Sequence, residues 1–372
     1  MSEDIRVCSF CVMDNASDST ISFDENGQCN YCRQALSEIN TKTYFPNEEG
    51  QRRLKALIAE IKEAGKNNQY DCMMGISGGL DSSYLAYLAS TWGLRILAIH
   101  IDDNFDTDIS KENIRKLIEK TGFDMITLKP DFEQYADLTK AYMKAGVPNL
   151  AIPQDNILFA EIYKEAKKRK IKYFLSGGNF ALESILQRGN SYTAFDVKNI
   201  KDIHKRFGTK PINKLVFISS IKNALYNKMK IISSVRPLNY VEYNRERAFK
   251  ELKEFCGFEY YGSKHLENAL TAFIQLYWFP KKFNVDKRKS HLSSMIVSGQ
   301  MTRDEALKHL KEPLIDPDLL NKYIQEVKEK LGISNEEFDA IMAAPTHQHT
   351  DYKTERLAKA LGRFKHRKDI KK

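Results

Sequence analysis

Short apolar runs alternate with amphipathic stretches along the first half of the chain. Continuous apolar runs of about four to eight residues are typical of buried strands, whereas apolar residues three and four positions apart predict a helix with one buried face. The predicted strands are 70–76, 94–101, 124–128 and 172–175, and the predicted helices are 51–66, 110–121, 132–145 and 157–170. Strands that alternate with helices at this rhythm predict an α/β fold with a doubly wound parallel sheet.

The pattern changes from about residue 190, where tyrosine and lysine become more frequent and the alternation weakens. Helical signals return near the carboxyl end. Thr302 with Glu305, and Ser334 with Glu337, have the spacing of capping boxes, which begin helices. We therefore expect a loose boundary between residues 190 and 230, and a last third that is mostly helical.

The composition is that of an ordinary globular protein. The 372 residues are 42% hydrophobic and 29% charged, which suffices for one large or two ordinary domains with a proper core. No apolar run approaches the roughly 20 residues needed to span a bilayer, and the first residues lack the basic and apolar pattern of a signal peptide. We expect a cytoplasmic protein without membrane insertion.

Four of the six cysteines form two pairs at metal-ligand spacing. Cys8 and Cys11 make one C-x-x-C knuckle, and Cys29 and Cys32 make a second, with 17 residues between them. Four thiolates suit tetrahedral Zn²⁺, and the short polar segment between the knuckles needs such a clamp to fold. We predict a structural zinc ribbon; a redox pair or iron–sulfur ligation would also use this spacing.

The segment 75–83 is a glycine- and serine-rich loop between a predicted strand and a predicted helix. Glycines let backbone N–H groups approach an anion closely, and a helix N-terminus adds a favourable dipole. Serine hydroxyls supply further donors, and Asp81 is expected either to hold Mg²⁺ or to shape the loop. A glycine turn with a serine cap is the structural alternative. The candidate nucleotide-binding residues here are Gly75, Ser77, Gly78, Gly79, Asp81, Ser82 and Ser83.

Two other segments leave predicted strands toward the same side. In a parallel sheet the ligand site lies at the carboxyl ends of the strands, so residues that follow each strand are candidates. His100 and Asp102 follow the second strand, and Ser176, Gly177 and Gly178 follow the fourth. Asn179 and Glu183 come next, four residues apart and on one face if a helix begins there, and could orient a substrate. A simple turn with a helix cap is the alternative.

Basic residues concentrate in one part of the chain. The formal net charge is +9, and residues 201–300 hold 19 lysines and arginines against 8 acidic residues. Such an excess favours an anionic partner, although a solvated surface or helix-end charges would give the same count. The candidates for binding an anionic substrate are Lys264, His265, Lys282, Lys287, Arg288 and His291.

The loop Ser77-Gly78-Gly79-Leu80-Asp81-Ser82-Ser83 resembles that of the PP-loop ATP pyrophosphatase superfamily, which splits ATP to AMP and pyrophosphate. The resemblance implies that the substrate is adenylated on an oxygen and then attacked by a nitrogen or sulfur nucleophile. With the cysteine pairs and the change of pattern along the chain, we expect three regions: a zinc ribbon in 1–45, an ATP-binding α/β domain in 46–230, and a mostly helical substrate-binding region in 231–372.

A second resemblance covers nearly the whole chain. The opening 8–14 and 23–32, the loop 75–83, the second loop 176–179 and the segment 286–303 look like those of bacterial N-acetyl sugar amidotransferases. The resemblance implies conversion of an acetamido to an acetamidino group on a sugar for surface polysaccharide, O-antigen or flagellin glycans. Ammonia would come from a separate glutaminase similar to the histidine-biosynthesis subunit. The implied cofactors are ATP, Mg²⁺ and structural Zn²⁺.

The chemistry that this resemblance implies suits the residues. An amide oxygen that attacks the α-phosphate of ATP gives an adenylated imidate, and ammonia then displaces AMP. The candidate catalytic residues are Ser77, Asp81, Lys287 and Arg288. The basic excess then belongs to a pocket for a nucleotide-linked or acidic sugar, and no nucleic acid is expected.

Three different functions compete with this hypothesis. A tRNA-modifying PP-loop enzyme also suits a zinc ribbon and a basic chain, but sulfur-transferring members usually carry further cysteines near the ATP site. Beyond the loop this chain has only Cys256. The second is ATP-dependent amidation of another small metabolite, and the third is a ribbon that binds proteins on an inactive fold.

Overall fold

The computed structural model describes residues 5–260, 262 and 266–355. Its centre is a five-stranded parallel sheet with the order β3-β2-β1-β4-β5. The strands are β1 (Cys72–Gly75), β2 (Ile96–Ile101), β3 (Asp124–Leu128), β4 (Tyr173–Leu175) and β5 (Ser233–Val235). The predicted parallel α/β fold is therefore confirmed.

Helices cover the sheet and form most of the carboxyl-terminal region. Those up to residue 228 are α1 (Asn30–Glu38), α2 (Glu48–Gly65), α3 (Leu80–Ser90), α4 (Asp108–Thr121), α5 (Phe132–Lys144), α6 (Ile152–Arg169), α7 (Phe180–Glu183), α8 (Val197–Phe207) and α9 (Ser220–Lys228). The later ones are α10 (Arg245–Cys256), α11 (Ala269–Phe273), α12 (Phe279–Phe283), α13 (Arg288–Val297), α14 (Arg303–Lys311), α15 (Pro317–Leu331) and α16 (Asn335–Ala343). Short 3-10 turns occupy Pro237–Tyr240 and His349–Asp351, and Ile274–Trp278 is a π-helical segment.

None of the helices in the described residues is both long and apolar enough to cross a membrane.

The central strand β1 is buried on both faces, as its apolar sequence predicts. Cys72 and Met74 pack into the larger hydrophobic cluster, whereas Met73 between them packs into the smaller one with Leu97 and Ile162. This alternation follows from the two-residue period of a strand, which sends successive side chains to opposite faces of the sheet.

The predicted boundaries are close where the local pattern is strong. β3 has the predicted bounds, and α5 ends one residue before its predicted end. Helix α6 starts at Ile152, five residues before the predicted start, with Pro153 in its first turn, a position that proline favours. This earlier start places Gln154 and Asp155 on a helix beside the sheet.

One predicted capping box forms in full and the other in part. The Thr302 hydroxyl accepts from the Glu305 N–H while the Glu305 carboxylate accepts from Thr302, so α14 begins with both bonds. Ser334 also caps α16, but the Glu337 carboxylate instead pairs with Lys140 and Lys144 of α5, at 2.7 and 2.9 Å. These ion pairs connect α16 to α5.

Helix α13 connects the cysteine-rich segment to the middle of the chain. The Ser293 hydroxyl accepts from the Val12 N–H at 3.2 Å, and the Ser294 hydroxyl accepts from the Ile185 N–H at 3.0 Å. Just beyond α13, the Arg303 guanidinium donates to the carbonyls of Cys8 and Cys11. The segment that carries the cysteines is therefore docked on α13, and α13 also holds the chain that follows α7.

Candidate functional site

A cavity of about 400 Å³ opens at the carboxyl ends of β1, β2 and β4. This is where a doubly wound sheet places its ligand, because the chain leaves neighbouring strands in opposite directions there. The sequence-predicted candidates in its lining are Gly75, Ser77, Gly79, Asp81, Ser82, His100, Ser176, Gly177, Gly178 and Glu183. The candidates Gly78, Ser83, Asp102 and Asn179 lie outside the described lining.

The first glycine loop presents donors at the start of α3. The hydroxyls of Ser77 and Ser82 are 3.1 Å apart, and Ser82 Oγ accepts from the Ser77 N–H at 3.3 Å. Gly79 occupies the N-cap of α3 and supplies no side-chain hydrogen bond to the helix. The N-terminus of α3 lies beside Ser77, Gly79 and Ser82 in the cavity lining, and its dipole favours an anion there.

The second glycine loop lies directly against the first. A Cβ added to Gly177 would stand 2.9 Å from both the N and the Cα of Ser82, which is closer than real Cβ atoms come. Only glycine fits at this contact without displacing backbone. The two loops therefore share one floor beneath the cavity.

Asp81 and Ser83 have different surroundings in the first turn of α3. The Tyr243 hydroxyl donates to Asp81 Oδ1, and the Tyr243 ring packs edge-on against Tyr84 at 5.5 Å. Tyr243 thus positions Asp81, a contact that no sequence signal indicated. The Ser83 hydroxyl is fully buried and has no hydrogen-bond partner among the described residues.

His100 forms a buried pair at the end of β2. Its Nδ1 is 2.9 Å from the Ile76 carbonyl oxygen, and its Nε2 is 3.0 Å from Asp106 Oδ2. Burial disfavours the protonated ring, but the Asp106 carboxylate outweighs burial and raises the pKa of His100. The pair links β1 to the loop that follows β2.

Asp102 pairs with Lys129, the residue that directly follows β3. Burial raises its proton affinity, yet the Lys129 ammonium, 2.8 Å away, leaves the pKa of Asp102 below its usual value.

A network of polar groups lies next to the His100–Asp106 pair. Asp103 accepts from Gln154 Nε2 at 2.6 Å and from Asn268 Nδ2 at 3.0 Å. Burial, with the nearby Asp106 carboxylate, raises the pKa of Asp103 to about 6. The network joins α6 and the segment before α11 to the end of β2, so it fixes two walls of the cavity.

One part of the cavity lining is apolar. Leu158, Phe159 and Ile162 of α6 and Phe174 of β4 line it. Flat apolar walls with a few polar groups at the rim are typical of sites for small organic ligands, including the base of a nucleotide. At the head of this wall, burial raises the pKa of Asp155 to about 7.

Three functional candidates on the cavity wall are not among the site residues predicted from the sequence. Arg245 is the one permanently charged cation in the described lining; its guanidinium donates to the Tyr260 hydroxyl and lies 5.1 Å from the centre of that ring. Burial raises the pKa of Tyr260, and Glu267 and Asp81 contribute to the rise. Arg245, Tyr260 and Glu267 lie within one stretch of 23 residues, and only folding brings this stretch against the loops at the ends of the strands.

The predicted basic cluster lies outside the described lining of the cavity. Lys282 donates to the carbonyls of Ile341 and Ala344, at 2.6 and 2.9 Å, at the end of α16. Arg288 pairs with Asp286 and also donates to the His309 carbonyl near the end of α14. Both contacts are those of a cation at a helix C-terminus.

The remaining basic candidates have separate places. Lys287 is the N-cap residue of α13, with its ammonium 5.4 Å from the centre of the Phe279 ring, and burial lowers its pKa. His291 lies in the first turn of α13. Lys264 and His265 fall outside the described residues.

Asn179 and Glu183 do not share a role. Asn179 is fully buried and caps α7, accepting from the Leu182 N–H at 2.9 Å. Glu183, at the end of that helix, lines the cavity. A helix cap therefore describes Asn179, whereas Glu183 stays a candidate for contact with substrate.

The four paired cysteines form a compact cluster. Their Sγ atoms lie within 4.8 Å of one another, and the Cys8–Cys32, Cys11–Cys29 and Cys29–Cys32 distances are 3.7, 3.6 and 3.5 Å. Zinc–sulfur bonds of about 2.3 Å place the corners of a tetrahedron about 3.8 Å apart. Backbone N–H groups of Cys11 and Cys29 point at Cys8 Sγ, as hydrogen-bond donors to a metal-bound thiolate do. The cluster fits a single tetrahedral metal ion in a zinc ribbon.

Residues 267–366 match the protein family described as "LPS biosynthesis protein WbpG-like, C-terminal domain". The matched region begins at Glu267 on the cavity wall and includes α11 to α16. No curated protein matches the chain.

Three solved structures are similar to the chain at low identity. One is NMN synthetase from Francisella tularensis, at 13% identity and a TM-score of 0.35, over 78% of this chain and 95% of that one. Another is NH3-dependent NAD synthetase from Campylobacter jejuni, at 15% identity and a TM-score of 0.31, over 77% of this chain and 97% of that one. The third is the U34-tRNA thiolase NcsA from Methanococcus maripaludis with its 4Fe–4S cluster. Its identity is 15% and its TM-score 0.34, over 73% of this chain and 82% of that one.

Proposed function

We propose that this chain is an AMP-forming amidotransferase of the PP-loop ATP pyrophosphatase type, which adenylates the acetamido oxygen of an N-acetylated sugar. The observation that carries the proposal is the contact between the two glycine loops, where Gly177 meets the backbone of Ser82 at the N-terminus of α3. This contact brings the hydrogen-bond donors of the two loops together next to the apolar residues of α6 and β4, on which a nucleotide base could lie. A nucleotide with its phosphates on the floor fits that arrangement.

In this proposal the chain stabilises the charge that develops as pyrophosphate leaves. The hydroxyls of Ser77 and Ser82 and the first amides of α3 are preorganised donors, which cost no reorganisation during the reaction. Arg245 is the cation that we expect to contact phosphate. Mg²⁺, held near Asp81, would neutralise phosphate charge when bound.

The sugar class rests on two supports. The match of residues 267–366 is to a family named for lipopolysaccharide biosynthesis. The motifs that resemble N-acetyl sugar amidotransferases extend this to an acetamido substrate, with the product used in surface polysaccharide, O-antigen or flagellin glycans. We expect Glu183, which lines the cavity, to contact sugar hydroxyls.

Ammonia would come from a partner glutaminase, and zinc would serve structure. The cysteine cluster is docked on α13 and outside the described cavity lining, so we assign its metal to folding and not to chemistry. A cytoplasmic location follows from the use of ATP and a nucleotide-linked sugar.

A thiolating function fits the cavity less well. Sulfur transfer needs a cysteine or a cluster near the adenylated atom. None of the described residues that line the cavity is a cysteine, and Cys72 lies buried in β1, where burial raises its pKa to about 12.

The test is a screen for AMP release. The purified chain is incubated with ATP, Mg²⁺, ammonium chloride and a panel of N-acetylated UDP- and CMP-sugars. We expect one sugar to stimulate AMP release and to gain an amidine, detected by a mass decrease of about one unit when oxygen is replaced by NH. With glutamine in place of ammonium, activity should need the partner glutaminase. AMP release stimulated by tRNA and by no sugar would contradict the proposal.

A further inference from the structure

Asp155 heads the face of α6 that lines the cavity. Asp155, Leu158, Phe159 and Ile162 are spaced i, i+3, i+4 and i+7, so they form one stripe on the helix, and all four line the cavity. Three members of the stripe are apolar. The fourth is a carboxyl group at the end nearest the N-terminus of the helix.

Among the described residues, no cation or hydrogen-bond donor pairs with the Asp155 carboxyl group. Its neighbour Gln154 is already held by Asp103. Other carboxylates on the wall differ in this respect: Asp81 accepts from Tyr243, and Asp106 pairs with His100. Asp155 therefore has free acceptor capacity next to the space that a substrate would fill.

A structural role does not account for this placement. A carboxylate in the first turn of a helix is stabilised by the dipole, but burial without a partner costs more, and the pKa rises to about 7. Such a group exchanges a proton near neutral pH, which is the property that a general base needs. The titratable and charged groups around it are Asp81, His100, Asp106, Glu183, Arg245, Tyr260 and Glu267 in the lining, and Tyr135 on α5.

We propose that the Asp155 carboxylate accepts the proton that ammonia loses when it attacks the adenylated substrate in this cavity. The inference rests on the proposed function, because it assigns the proton acceptor of that reaction. The apolar residues beside Asp155 would also disfavour water, which competes with ammonia for the activated carbon.

Attack by ammonia, proton transfer to Asp155 and loss of AMP make up the amination step. The ammonia lone pair forms a C–N bond to the adenylated carbon, and the C=N π pair moves onto the original amide nitrogen. One N–H proton of the new ammonium group moves to a carboxylate oxygen of Asp155. The C–O bond to AMP breaks, AMP leaves with that electron pair, and a nitrogen lone pair completes the amidinium. Asp155 returns its proton to solvent after product release.

The experiment separates adenylation from amination, using the sugar that gives the highest AMP release in the screen. ATP–pyrophosphate exchange without ammonia measures adenylation alone, and amidine formation with ammonium measures both steps. In Asp155→Asn we expect exchange within about threefold of wild type, and amidine formation reduced by roughly 10²-fold or more. Asp155→Glu should recover part of the loss. Asp318→Asn makes the same change in the exposed first turn of α15 and should leave both rates unchanged.

Hydroxylamine provides a readout that a structural role would not move. Its nitrogen loses a proton far more readily after attack than ammonia does, so it needs less help from a base. We expect the defect of Asp155→Asn to be at least about tenfold smaller with hydroxylamine than with ammonium.

Two results would overturn the inference alone: normal amidine formation by Asp155→Asn, or loss of exchange together with amination, which would assign the carboxylate to the nucleotide. Absence of exchange by wild type with every sugar would instead refute the proposed function, and the inference with it.

Discussion

At the scale of single residues, Gly177 shows how one missing side chain creates the site. Its Cα faces the first turn of α3 so closely that the backbone of Ser82 takes the space of a Cβ. Gly178, the next residue, is less constrained, because a Cβ there would meet the Glu183 carboxylate at 3.2 Å, and a flexible side chain can move. The two glycines therefore offer a matched comparison.

We expect Gly177→Ala to weaken ATP binding by roughly tenfold, because overpacking of about 1–3 kcal/mol must be relieved by moving the loops apart. Gly178→Ala should change ATP binding by less than about threefold. Isothermal titration calorimetry with ATP measures both, and circular dichroism checks that the fold is retained. Equal effects of the two substitutions would contradict a specific contact between the loops.

Ser77→Ala removes one hydroxyl donor from the loop, together with the acceptor of the Gly79 N–H at 3.2 Å. We expect AMP formation to fall by about 10²-fold or more, as for other preorganised donors to a developing anion. Ser90→Ala, at the far end of the same helix, is the control and should leave the rate unchanged. Undiminished AMP release from Ser77→Ala would remove this hydroxyl from the mechanism.

The raised pKa of Asp155 predicts how the free energy of unfolding changes with pH. The folded protein keeps its proton up to about pH 7, whereas the unfolded chain loses it near pH 4, so this group lowers stability as pH rises between these values. Asp155→Asn removes the penalty. Urea denaturation should show little difference from wild type at pH 4, and a variant more stable by about 1–4 kcal/mol at pH 8. A difference that does not depend on pH would argue against the raised pKa.

At the scale of secondary-structure elements, basic residues of α12 and α13 hold helix ends and the cysteine-rich segment together. Lys282 and Arg288 bind carbonyls at helix ends, and Lys289 pairs with Asp14 in the amino-terminal segment. Four basic residues in a short segment predicted an anion site from the sequence. Tertiary contacts satisfy several of them instead, because carbonyls at helix C-termini attract cations as phosphates do.

Arg303 is the clearest test of this docking. Its guanidinium donates to the carbonyls of both Cys8 and Cys11, and lysine lacks the planar fork that reaches two acceptors. We expect Arg303→Lys to release metal several-fold faster to a metallochromic chelator, with the fold intact. Arg115→Lys, on the exposed face of α4, is the control. Equal release rates in the two variants would show that the cysteine-rich segment holds its metal without the Arg303 contacts.

At the scale of the whole molecule, a chain of contacts runs from the cysteines to the second glycine loop. The cysteine-rich segment bonds to α13 through Ser293, and α13 bonds through Ser294 to the chain after α7, which follows the second glycine loop. Changes at the metal should therefore reach the cavity.

Purified protein should contain about one zinc per chain, measured by mass spectrometry of the released metal. Removing it with a chelator should lower the thermal midpoint by several degrees, because metal binding supplies folding energy to a ribbon of this size. ATP binding should weaken in parallel and recover when zinc is restored. A metal-free preparation with the full thermal midpoint and unchanged ATP affinity would refute the structural role.

The sequence alone determined the parts whose physics is local. Alternating apolar and amphipathic segments gave the parallel sheet, since strand and helix periods act within a few residues. C-x-x-C spacing predicted the cluster of four cysteines, and the serine- and glycine-rich loop predicted the place of the cavity at the start of α3, because each pattern depends on neighbours in the chain.

Only the tertiary structure decided which side chains meet. Three contacts join segments that are far apart in sequence. Gly177 meets Ser82, Tyr243 donates a hydrogen bond to Asp81, and Arg245 reaches the cavity at the ends of the strands. The same is true of Asp155, whose raised pKa depends on what surrounds it in the fold. The glycine loops were visible in the sequence, but folding made them one floor, and charge and burial are properties of the assembled molecule.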